Sequence, residues 1–337
     1  MRAYARAEWD PLKKVALHKP GLEVFFGLLE PEKSLFKRRF DFVKARKEYE
    51  ELIDALKSEG VATFRVLRSI IRRALKDEKF YEKLKRVVGV NADPWFLAKL
   101  LVLRPKFIST NGEVRVELVN PLSNLYFMRD QQITTKNGVV IGRMAKPQRS
   151  AETELVKLFW ESISVKYGEV KEGYLEGGDF YPMGDFYLVG VGNRSDMNGV
   201  KELINSGEEV VIVKEPISTE FFHLDTYFNV ISRELVVGVK ELMQHSTVEV
   251  YSEGKLVRRG LDMLTYLKEK EFNIHYVNLD EAKKFATNFL TLNAGKILSP
   301  YDLKISGVDS IVINVENLTG GFGGIHCMSA VIERGLG

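Results

Sequence analysis

One thiol stands out among the residues that could do chemistry. Cys327 is the only cysteine of the chain, and it follows a run of glycines between residues 320 and 324. A lone cysteine is most often a small buried hydrophobic residue. Glycines before it, however, permit positive φ angles and a close substrate approach. They also leave backbone N–H groups free to stabilise a thiolate or an oxyanion. We therefore take Cys327 as a candidate nucleophile.

Three further polar clusters precede this thiol. His223 and Asp225 would point to the same side of an extended segment, which suits a general acid/base beside a carboxylate. Glu176 and Asp179 flank a Gly-Gly turn, and Asp130 ends an aromatic run. Each cluster also has an ordinary explanation by itself, such as a hydrogen-bonded strand histidine, a common turn or a surface ion pair. Their combination is the informative feature.

A cysteine, a histidine and several carboxylates favour a cationic substrate. The sequence contains no HExxH motif, and His223 with Asp225 would be a poor zinc ligand set, so we expect no metal. No glycine-rich nucleotide motif follows a strand, and we expect no cofactor. A guanidinium is planar and charged, and two carboxylates can each accept paired hydrogen bonds from it. Thiolate is the strongest nucleophile a protein offers to its central carbon.

The composition excludes several other classes of protein. The 337 residues are 45% hydrophobic with a net charge of +3, which is too apolar for a disordered chain. One cysteine permits no internal disulfide. No apolar run reaches the roughly 20 residues of a membrane helix, and the first residues lack a signal-peptide core. We expect a soluble, cytoplasmic enzyme with no membrane partner. Abundant Lys and Glu with few Gln hint at a thermophilic source.

Apolar periodicity divides the chain into a helical part and a strand-rich part. Helices are predicted over 42–56, 69–88 and 94–101, so that residues 36–104 are mostly helical. Further helices are predicted over 151–164, 197–205, 261–270 and 280–285. Predicted strands are 61–66, 114–119, 139–142, 186–191, 210–214, 230–231, 235–239, 248–251, 274–277, 289–292, 311–314 and 328–332.

The polar clusters recur at nearly equal spacing. Asp130, Glu176 and His223 are 46 and 47 residues apart, and Cys327 follows after 104. Equal spacing suggests repeated strand-rich units that each bring a loop to one centre. Five such units need about 240 residues, and the surplus then corresponds to a helical insertion at 36–104.

That helical stretch has an excess of Lys and Arg, which is also typical of surfaces that bind nucleic acid or an acidic partner. It lacks the interleaved stacking aromatics of single-strand binders. A solvated helical face is the favoured explanation of the charge, and we expect no nucleic-acid partner.

Four segments resemble, in order, motifs of the arginine deiminases. Residues 121–130 (PLSNLYFMRD) resemble the P-N-L-x-F-T-R-D segment, and 175–179 (LEGGD) resemble E-G-G-D. Residues 222–226 (FHLDT) resemble M-H-L-D-T, and 323–329 (GGIHCMS) resemble G-G-G-H-C-M-[ST]. The resemblance implies the pentein fold of the guanidino-group-modifying superfamily. That fold is an α/β five-bladed propeller of ββαβ units, here over residues 1–35 and 105–337, with the mainly helical subdomain inserted at 36–104.

The resemblance also implies roles for individual residues. Cys327 would attack the guanidinium carbon while Asp130 and Asp225 hold its nitrogens. His223, oriented by Glu176, would protonate the departing ammonia and then activate water. His223 is preferred to His326, because neighbours in an extended segment point apart.

Substrate binding would involve a second group of residues: Asn124, Arg149, Arg194, Asp179 and Phe322. The two arginines would meet the carboxylate of L-arginine. Phe322 stands where many bacterial relatives have an arginine, and Met128 replaces a threonine. Hydrolysis to citrulline and ammonia is the favoured reaction. Amidino transfer to an amine, or hydrolysis of another guanidino compound, remains the alternative. Homodimers or larger homo-oligomers are common in the family.

Overall fold

The fold is taken from a computed structural model that describes residues 1–216 and 218–335. The strands are β1 (Leu12–Leu17), β2 (Ala62–Arg65), β3 (Pro105–Thr110), β4 (Glu113–Leu118), β5 (Gln132–Thr135), β6 (Gly138–Ile141), β7 (Tyr167–Glu169), β8 (Phe180–Pro182), β9 (Phe186–Val191), β10 (Glu209–Lys214), β11 (Phe228–Val230), β12 (Leu235–Val239), β13 (Thr247–Ser252), β14 (Lys255–Asp262), β15 (Asn273–Val277), β16 (Leu290–Asn293), β17 (Lys296–Ser299), β18 (Asp309–Val312) and β19 (Ala330–Arg334). The helices are α1 (Leu22–Gly27), α2 (Phe42–Ser58), α3 (Val66–Ala74), α4 (Glu78–Val88), α5 (Pro94–Leu103), α6 (Glu152–Ser162), α7 (Lys201–Ile204), α8 (Lys240–His245), α9 (Met263–Glu269) and α10 (Leu279–Lys283).

One strand pattern occurs five times along the chain. In each case two strands pair antiparallel and a third pairs parallel to the second of them. The five groups are β5-β6-β7, β8-β9-β10, β11-β12-β15, β16-β17-β18 and β19-β1-β2; β13 and β14 extend the second group to a five-stranded sheet. A parallel partner requires a crossover, which is a helix in most of these groups. The last group joins the two ends of the chain.

Strand composition explains where the core lies. β9, β10 and β12 are nearly continuous runs of buried apolar residues, mainly Val, with Phe and Tyr at the start of β9, which is typical of strands covered on both faces. Their side chains meet in the largest apolar cluster, between the second and third groups. The predicted strands 186–191 and 235–239 are confirmed to the residue. β5 was not predicted, because its sequence QITT is polar although all four residues are buried.

The helix α2 packs against the turn that carries the candidate nucleophile. Asp41 caps it by accepting a hydrogen bond from the backbone N–H of Lys44, 3.0 Å away. Its buried stripe includes Tyr49 and Leu52. The Tyr49 hydroxyl donates to the carbonyl of Met328, next to Cys327, at 3.3 Å. The helix thereby supports the segment around the thiol from behind.

The stretch predicted as a helical insertion, residues 36–104, contains one strand of the main sheets. β2 pairs in parallel with β1, so α2 and β2 complete the sheet that joins the chain ends. The helices α3, α4 and α5 follow, and their apolar side chains pack with Phe159 and Trp160 of α6. The helix predicted over 69–88 is two helices. Asp77 interrupts it and caps α4 by accepting from the N–H of Phe80 at 3.1 Å.

Part of the basic excess in this region is paired on the surface. Ion pairs join Lys57 to Asp54, Arg65 to Glu50, Arg73 to Asp77 and Lys83 to Glu161. Across the described residues, none of the helices has both the length and the apolarity needed to span a bilayer.

Candidate active site

A cavity of about 800 Å³ collects most of the predicted site residues at its wall. The predicted residues that line it are Asn124, Asp130, Arg149, Arg194, His223, Phe322 and Cys327. Glu176, Asp179 and Asp225 are fully buried and lie directly behind this wall. Residues as far apart in sequence as Asn124 and Cys327 are therefore brought to one centre, as the spacing of the polar clusters predicted.

Short 3-10 turns place these side chains. Four of them occur in the described chain, at Pro147–Arg149, Gly177–Asp179, Leu224–Thr226 and Leu318–Gly321. Glu176 and His223 each stand just before such a turn, and Phe322 stands just after one with φ of 81°. Residue 178 has no room for a side chain unless His223 moves, because a Cβ there would lie 2.7 Å from Nδ1 of His223. The backbone of one turn thus packs directly against the imidazole.

The thiol of Cys327 lies between an acid and an amide. Its sulfur is 3.3 Å from Oδ2 of Asp225 and 3.2 Å from Nδ2 of Asn288. Burial, together with the negative charges of Asp225 and Asp130, raises the pKa of the Cys327 thiol well above its usual range, while the hydrogen bond from Asn288 lowers it. Without a cationic ligand the thiol is therefore protonated at neutral pH.

His223 and Glu176 form a buried ion pair. Nε2 of His223 lies 2.8 Å from Oε2 of Glu176. Burial opposes the charged imidazole, but the carboxylates of Asp130, Asp179 and Glu176 raise the pKa of His223 to about 10. Burial likewise opposes the ionised carboxyl, yet the hydrogen bond and charge of His223 lower the pKa of Glu176 to about 2. His223 is therefore a cation that can donate a proton.

Among the described residues, two carboxylate oxygens of the predicted catalytic acids accept no hydrogen bond, although Nδ1 of His223 lies 3.8 Å from the one on Asp130. Within residues 1–216 and 218–335, Oδ1 of Asp130 and Oδ1 of Asp225 are buried and accept no hydrogen bond. Such atoms cost free energy unless a donor reaches them. The second oxygen of each acid is engaged, by Arg149 and by His326. These two oxygens, which accept no hydrogen bond, are available to accept from the N–H groups of a planar cation.

The arginines predicted to bind a carboxylate are already paired with acids. Arg149 is buried and donates to Asp130 and, at 2.8 to 3.2 Å, to Glu152. Arg194 lies 3.3 Å from Oε2 of Glu176 and stacks over the ring of Phe222 at 4.6 Å. Both guanidinium groups border the cavity, so they can still influence the charge of a ligand there.

Asp179 does not occupy the predicted position on the substrate. One of its oxygens accepts from the hydroxyl of Ser195 at 2.6 Å, and the other accepts from the backbone N–H of Leu224 at 2.9 Å. Both oxygens are therefore occupied away from the cavity. Burial raises the pKa of Asp179 to about 7. Its contact is with the chain that follows His223, which makes it a support for the imidazole.

The mouth of the cavity combines aromatic and charged side chains. Phe222 and Phe322 meet edge to face, with centroids 5.0 Å apart. Nζ of Lys37 lies 5.0 Å over the ring of Phe322. Glu32 and Glu220 also line this region. No salt bridge of Lys37 is found with any described residue, so its ammonium is the cation of the cavity most available to a ligand.

Three neighbours of the site were not predicted from the sequence. Glu152 lies in the segment PQRSAET that contains Arg149, so its position was a usable signal. Lys37 and Asn288 lie in no such segment, and only the fold brings them to the cavity or the thiol. His326, set aside in favour of His223, is buried behind the site and stacks on Tyr181 with rings 18° from parallel.

One group of described side chains has the spacing of a metal site. Ligand atoms of Asp130, Glu176 and His223 lie within 4.8 Å of one another. Arg149 and Arg194 already donate to the two carboxylates. Since these cations compensate the acids, the group is poorly suited to a divalent ion and well suited to a proton relay.

Known proteins resemble this chain over most of its length. A family model described as arginine deiminase matches residues 100–334. The arginine deiminase of Halobacterium salinarum is 27% identical, with 99% of this chain and 97% of the relative aligned. That of Streptococcus sanguinis is 26% identical, with 97% of each covered.

Solved structures share the fold at lower identity. The product-bound N-terminal domain of ArgZ, an arginine dihydrolase of cyanobacteria, has a TM-score of 0.65 at 14% identity and covers 96% of this chain and 98% of that one. A dimethylarginine dimethylaminohydrolase from Pseudomonas aeruginosa, complexed with citrulline, has a TM-score of 0.62 at 15% identity, with 95% and 98% covered. These neighbours show a mixed α/β fold of the pentein type.

Proposed function

Because the chain belongs to the arginine deiminase family, we propose that it hydrolyses L-arginine to L-citrulline and ammonia through a covalent intermediate on Cys327. It is a hydrolase that acts on C–N bonds of a guanidino group. The observation that carries the proposal is the thiol of Cys327 at the cavity wall, next to two buried carboxylates that each have an unpartnered oxygen. A planar cation satisfies both oxygens at the place where the nucleophile stands.

The arrangement of the strands supports a more detailed description of the fold. The five groups of three strands correspond to five blades of an α/β propeller, with the site at their common centre. The inserted helical part then begins at α3 rather than at residue 36, since α2 and β2 belong to the blade that joins the chain ends.

Binding of the guanidinium prepares the nucleophile. The free enzyme has a protonated thiol, because burial and the charges of Asp225 and Asp130 disfavour thiolate. A guanidinium between these acids offsets part of their negative charge and places its own positive charge beside the sulfur, which favours the thiolate. The thiol proton is then lost to solvent, and the thiolate stands next to the carbon it attacks.

The first half-reaction breaks one C–N bond. The sulfur of Cys327 bonds to the guanidinium carbon and forms a neutral tetrahedral adduct. His223, protonated through its pair with Glu176, gives its proton to the leaving amino group, which departs as ammonia. The product is a cationic thiouronium on Cys327, and the imidazole is now neutral.

The second half-reaction uses the same imidazole as a base. Neutral His223 takes a proton from water as the oxygen adds to the thiouronium carbon. The second tetrahedral adduct collapses with loss of the Cys327 thiolate and one further proton, and a urea group, that of citrulline, remains. Glu176 keeps the imidazole in position throughout and stabilises its charged form.

The α-carboxylate end of the substrate would lie at the mouth of the cavity, where Lys37 provides a positive charge. Arg149 and Arg194 border it but are paired with acids. Lys37, over the ring of Phe322, has the position and the charge to meet the α-carboxylate. Agmatine has no carboxylate to offer these cations and places an ammonium among them, so it is disfavoured as a substrate.

Mass spectrometry of the quenched enzyme tests the covalent step. Reaction with L-arginine should produce a thiouronium adduct on the peptide that contains Cys327, and the Cys327→Ser variant should show neither adduct nor turnover. The Ser329→Ala variant, two residues away, is the matched control and should retain the adduct. Unchanged turnover in Cys327→Ser would refute the mechanism.

Product analysis tests the acceptor. Citrulline and ammonia should form in equal amounts with arginine alone, and adding glycine or lysine should not change them. Ornithine that forms only when an acceptor amine is present would instead identify an amidinotransferase.

A further inference from the structure

The side chain of Asn288 connects both sides of the nucleophile. It is fully buried, just before β16. Its Oδ1 accepts from the backbone N–H of Gly324 at 3.0 Å and from that of Cys327 at 3.1 Å. Its Nδ2 donates to the carbonyl of Asp225 at 3.0 Å and to the sulfur of Cys327 at 3.2 Å. One amide group therefore contacts the thiol, the turn that carries it and the chain at the neighbouring acid.

The orientation of this amide follows from its neighbours. Oδ1 faces two backbone N–H groups, which only an acceptor can satisfy. The opposite orientation would direct Nδ2 at both donors and leave them unpaired in a buried place. Nδ2 must therefore face the sulfur. The same two hydrogen bonds exclude the orientation in which Oδ1 of Asn288 faces the sulfur, where it would repel a thiolate.

The backbone at Gly324 is built around this contact. A Cβ at residue 324 would lie 2.8 to 3.0 Å from atoms of Asn288. The main-chain carbonyl of Asn288 also accepts from the N–H of His326 at 3.1 Å. Three backbone N–H groups between residues 324 and 327 are thus held by one residue. Asp225 and Asp130 place negative charge near the sulfur, the cationic His223 lines the same cavity wall, and Nδ2 of Asn288 donates directly to the sulfur.

We propose that Asn288 is a positioning residue for Cys327, with Oδ1 holding the turn of residues 324–327 and Nδ2 stabilising the thiolate. The inference rests on the proposed function only in treating Cys327 as the nucleophile. A hydrogen bond to a charged group contributes more than one between neutral groups. The contact therefore strengthens when the thiol loses its proton, which is the state that attacks the substrate.

The Asn288→Asp variant separates the two contacts. It keeps an oxygen toward the N–H groups of Gly324 and Cys327 but places a second oxygen, in place of Nδ2, toward the sulfur. Asn288→Ser is the alternative should the aspartate prevent folding. Asn229 offers a matched control, because its buried Nδ2 donates to the carbonyls of Thr287 and Phe289 on either side of Asn288. Asn229→Asp disturbs the same segment without a change at the sulfur.

The measurement is the rate of alkylation of Cys327 by iodoacetamide as a function of pH. The chain has one cysteine, so the modified residue is unambiguous. We expect Asn288→Asp to react about tenfold or more slowly at pH 8, with its pH midpoint moved up by about one unit. Asn229→Asp should lower the thermal midpoint and leave the alkylation midpoint at the wild-type pH. A wild-type pH midpoint in Asn288→Asp, or an equal shift in Asn229→Asp, would overturn the proposal.

Alkylation does not depend on turnover, so the two proposals can fail separately. Wild-type enzyme that does not hydrolyse arginine, combined with a shifted midpoint in Asn288→Asp, would refute the proposed function alone. Normal hydrolysis by the wild type with no shift in either Asn288 variant would refute the role of Asn288 alone.

Discussion

Oδ2 of Asp225 lies 3.3 Å from the sulfur of Cys327, so an acid stands directly beside the candidate nucleophile. A carboxylate in this position disfavours the thiolate that the reaction needs. The same carboxylate is suited to hold the guanidinium. The pair therefore couples thiol ionisation to the arrival of a cation, and keeps the thiol unreactive when the cavity holds none.

Asp225→Asn should separate these two effects. Loss of the negative charge lowers the pKa of the Cys327 thiol, so alkylation by iodoacetamide at pH 8 should be faster than in the wild type. Loss of the charged acceptor should lower kcat/KM for arginine by about 100-fold. Asp10→Asn, at a buried acid paired with Arg6, is the control. Slower alkylation in Asp225→Asn would contradict the charge relationship.

The His223–Glu176 pair predicts how stability depends on pH. The folded pKa of His223 is raised from 6.5 to about 10, so its contribution is complete below pH 6.5 and is lost as the pH rises through 10. The folded pKa of Glu176 is lowered from 4.5 to about 2, so its contribution is complete above pH 4.5 and is lost as the pH falls through 2. The free energy of unfolding should therefore decline between pH 6.5 and 10.

Urea unfolding of His223→Gln across the same pH range checks this dependence. The decline between pH 6.5 and 10 should be clearly shallower in the variant, because the titrating imidazole is gone. His245→Gln, at an exposed histidine, should keep the wild-type slope. Equal slopes in wild type and His223→Gln would mean that the imidazole is not a buried cation.

Glu152 should be important for stability although it does not line the cavity. Glu152→Gln leaves the buried guanidinium of Arg149 with one acid instead of two. Breaking a buried pair costs about 3 kcal/mol, which urea unfolding would detect. Glu154→Gln, on the same helix at an exposed pair with Lys157, should change the free energy of unfolding by less than about 0.5 kcal/mol. Equal effects would show that Arg149 does not need Glu152.

Lys37→Met tests the outer end of the substrate. An exposed ion pair contributes up to about 1 kcal/mol, so KM for arginine should rise about fivefold while kcat stays near the wild-type value. Lys33→Met, at an exposed lysine paired with Glu30, should leave both constants unchanged. An unchanged KM in Lys37→Met would remove Lys37 from the carboxylate contact, and a fall in kcat alone would give it another role.

Gly178→Ala should displace the acid/base residue without unfolding the chain. The added Cβ would lie 2.7 Å from Nδ1 of His223, so the imidazole must move. Displacements of about 1 Å at a reacting group cost about 100-fold in rate, which kcat measurements would show. Gly168→Ala is the control, since its nearest neighbour atom would be at 3.7 Å. A wild-type kcat in Gly178→Ala would indicate that His223 can shift harmlessly.

Much of the fold could be predicted from the sequence, because local residue patterns specify many of its helices and strands. The helix predicted over 94–101 is α5, and Asp93 caps its start by accepting from the N–H of Trp95 at 2.9 Å. The apolar runs of β9 and β12 predicted their strands to the residue. β5 was missed because its burial is decided by polar side chains that find partners only in the folded state, such as Thr134 to the carbonyl of Val331.

The sequence alone determined which groups are candidates for the chemistry: one thiol, one histidine in a His-Leu-Asp segment and acids at nearly equal spacing. Residue type and local spacing suffice for that, because nucleophilicity, charge and strand alternation are local properties. Only the tertiary structure decided which polar atoms are satisfied. It directed Asp179 to backbone and hydroxyl donors, paired Arg149 with Glu152 and brought Asn288 to the sulfur. Hydrogen bonds between distant segments depend on how the sheets assemble, and no local pattern encodes them.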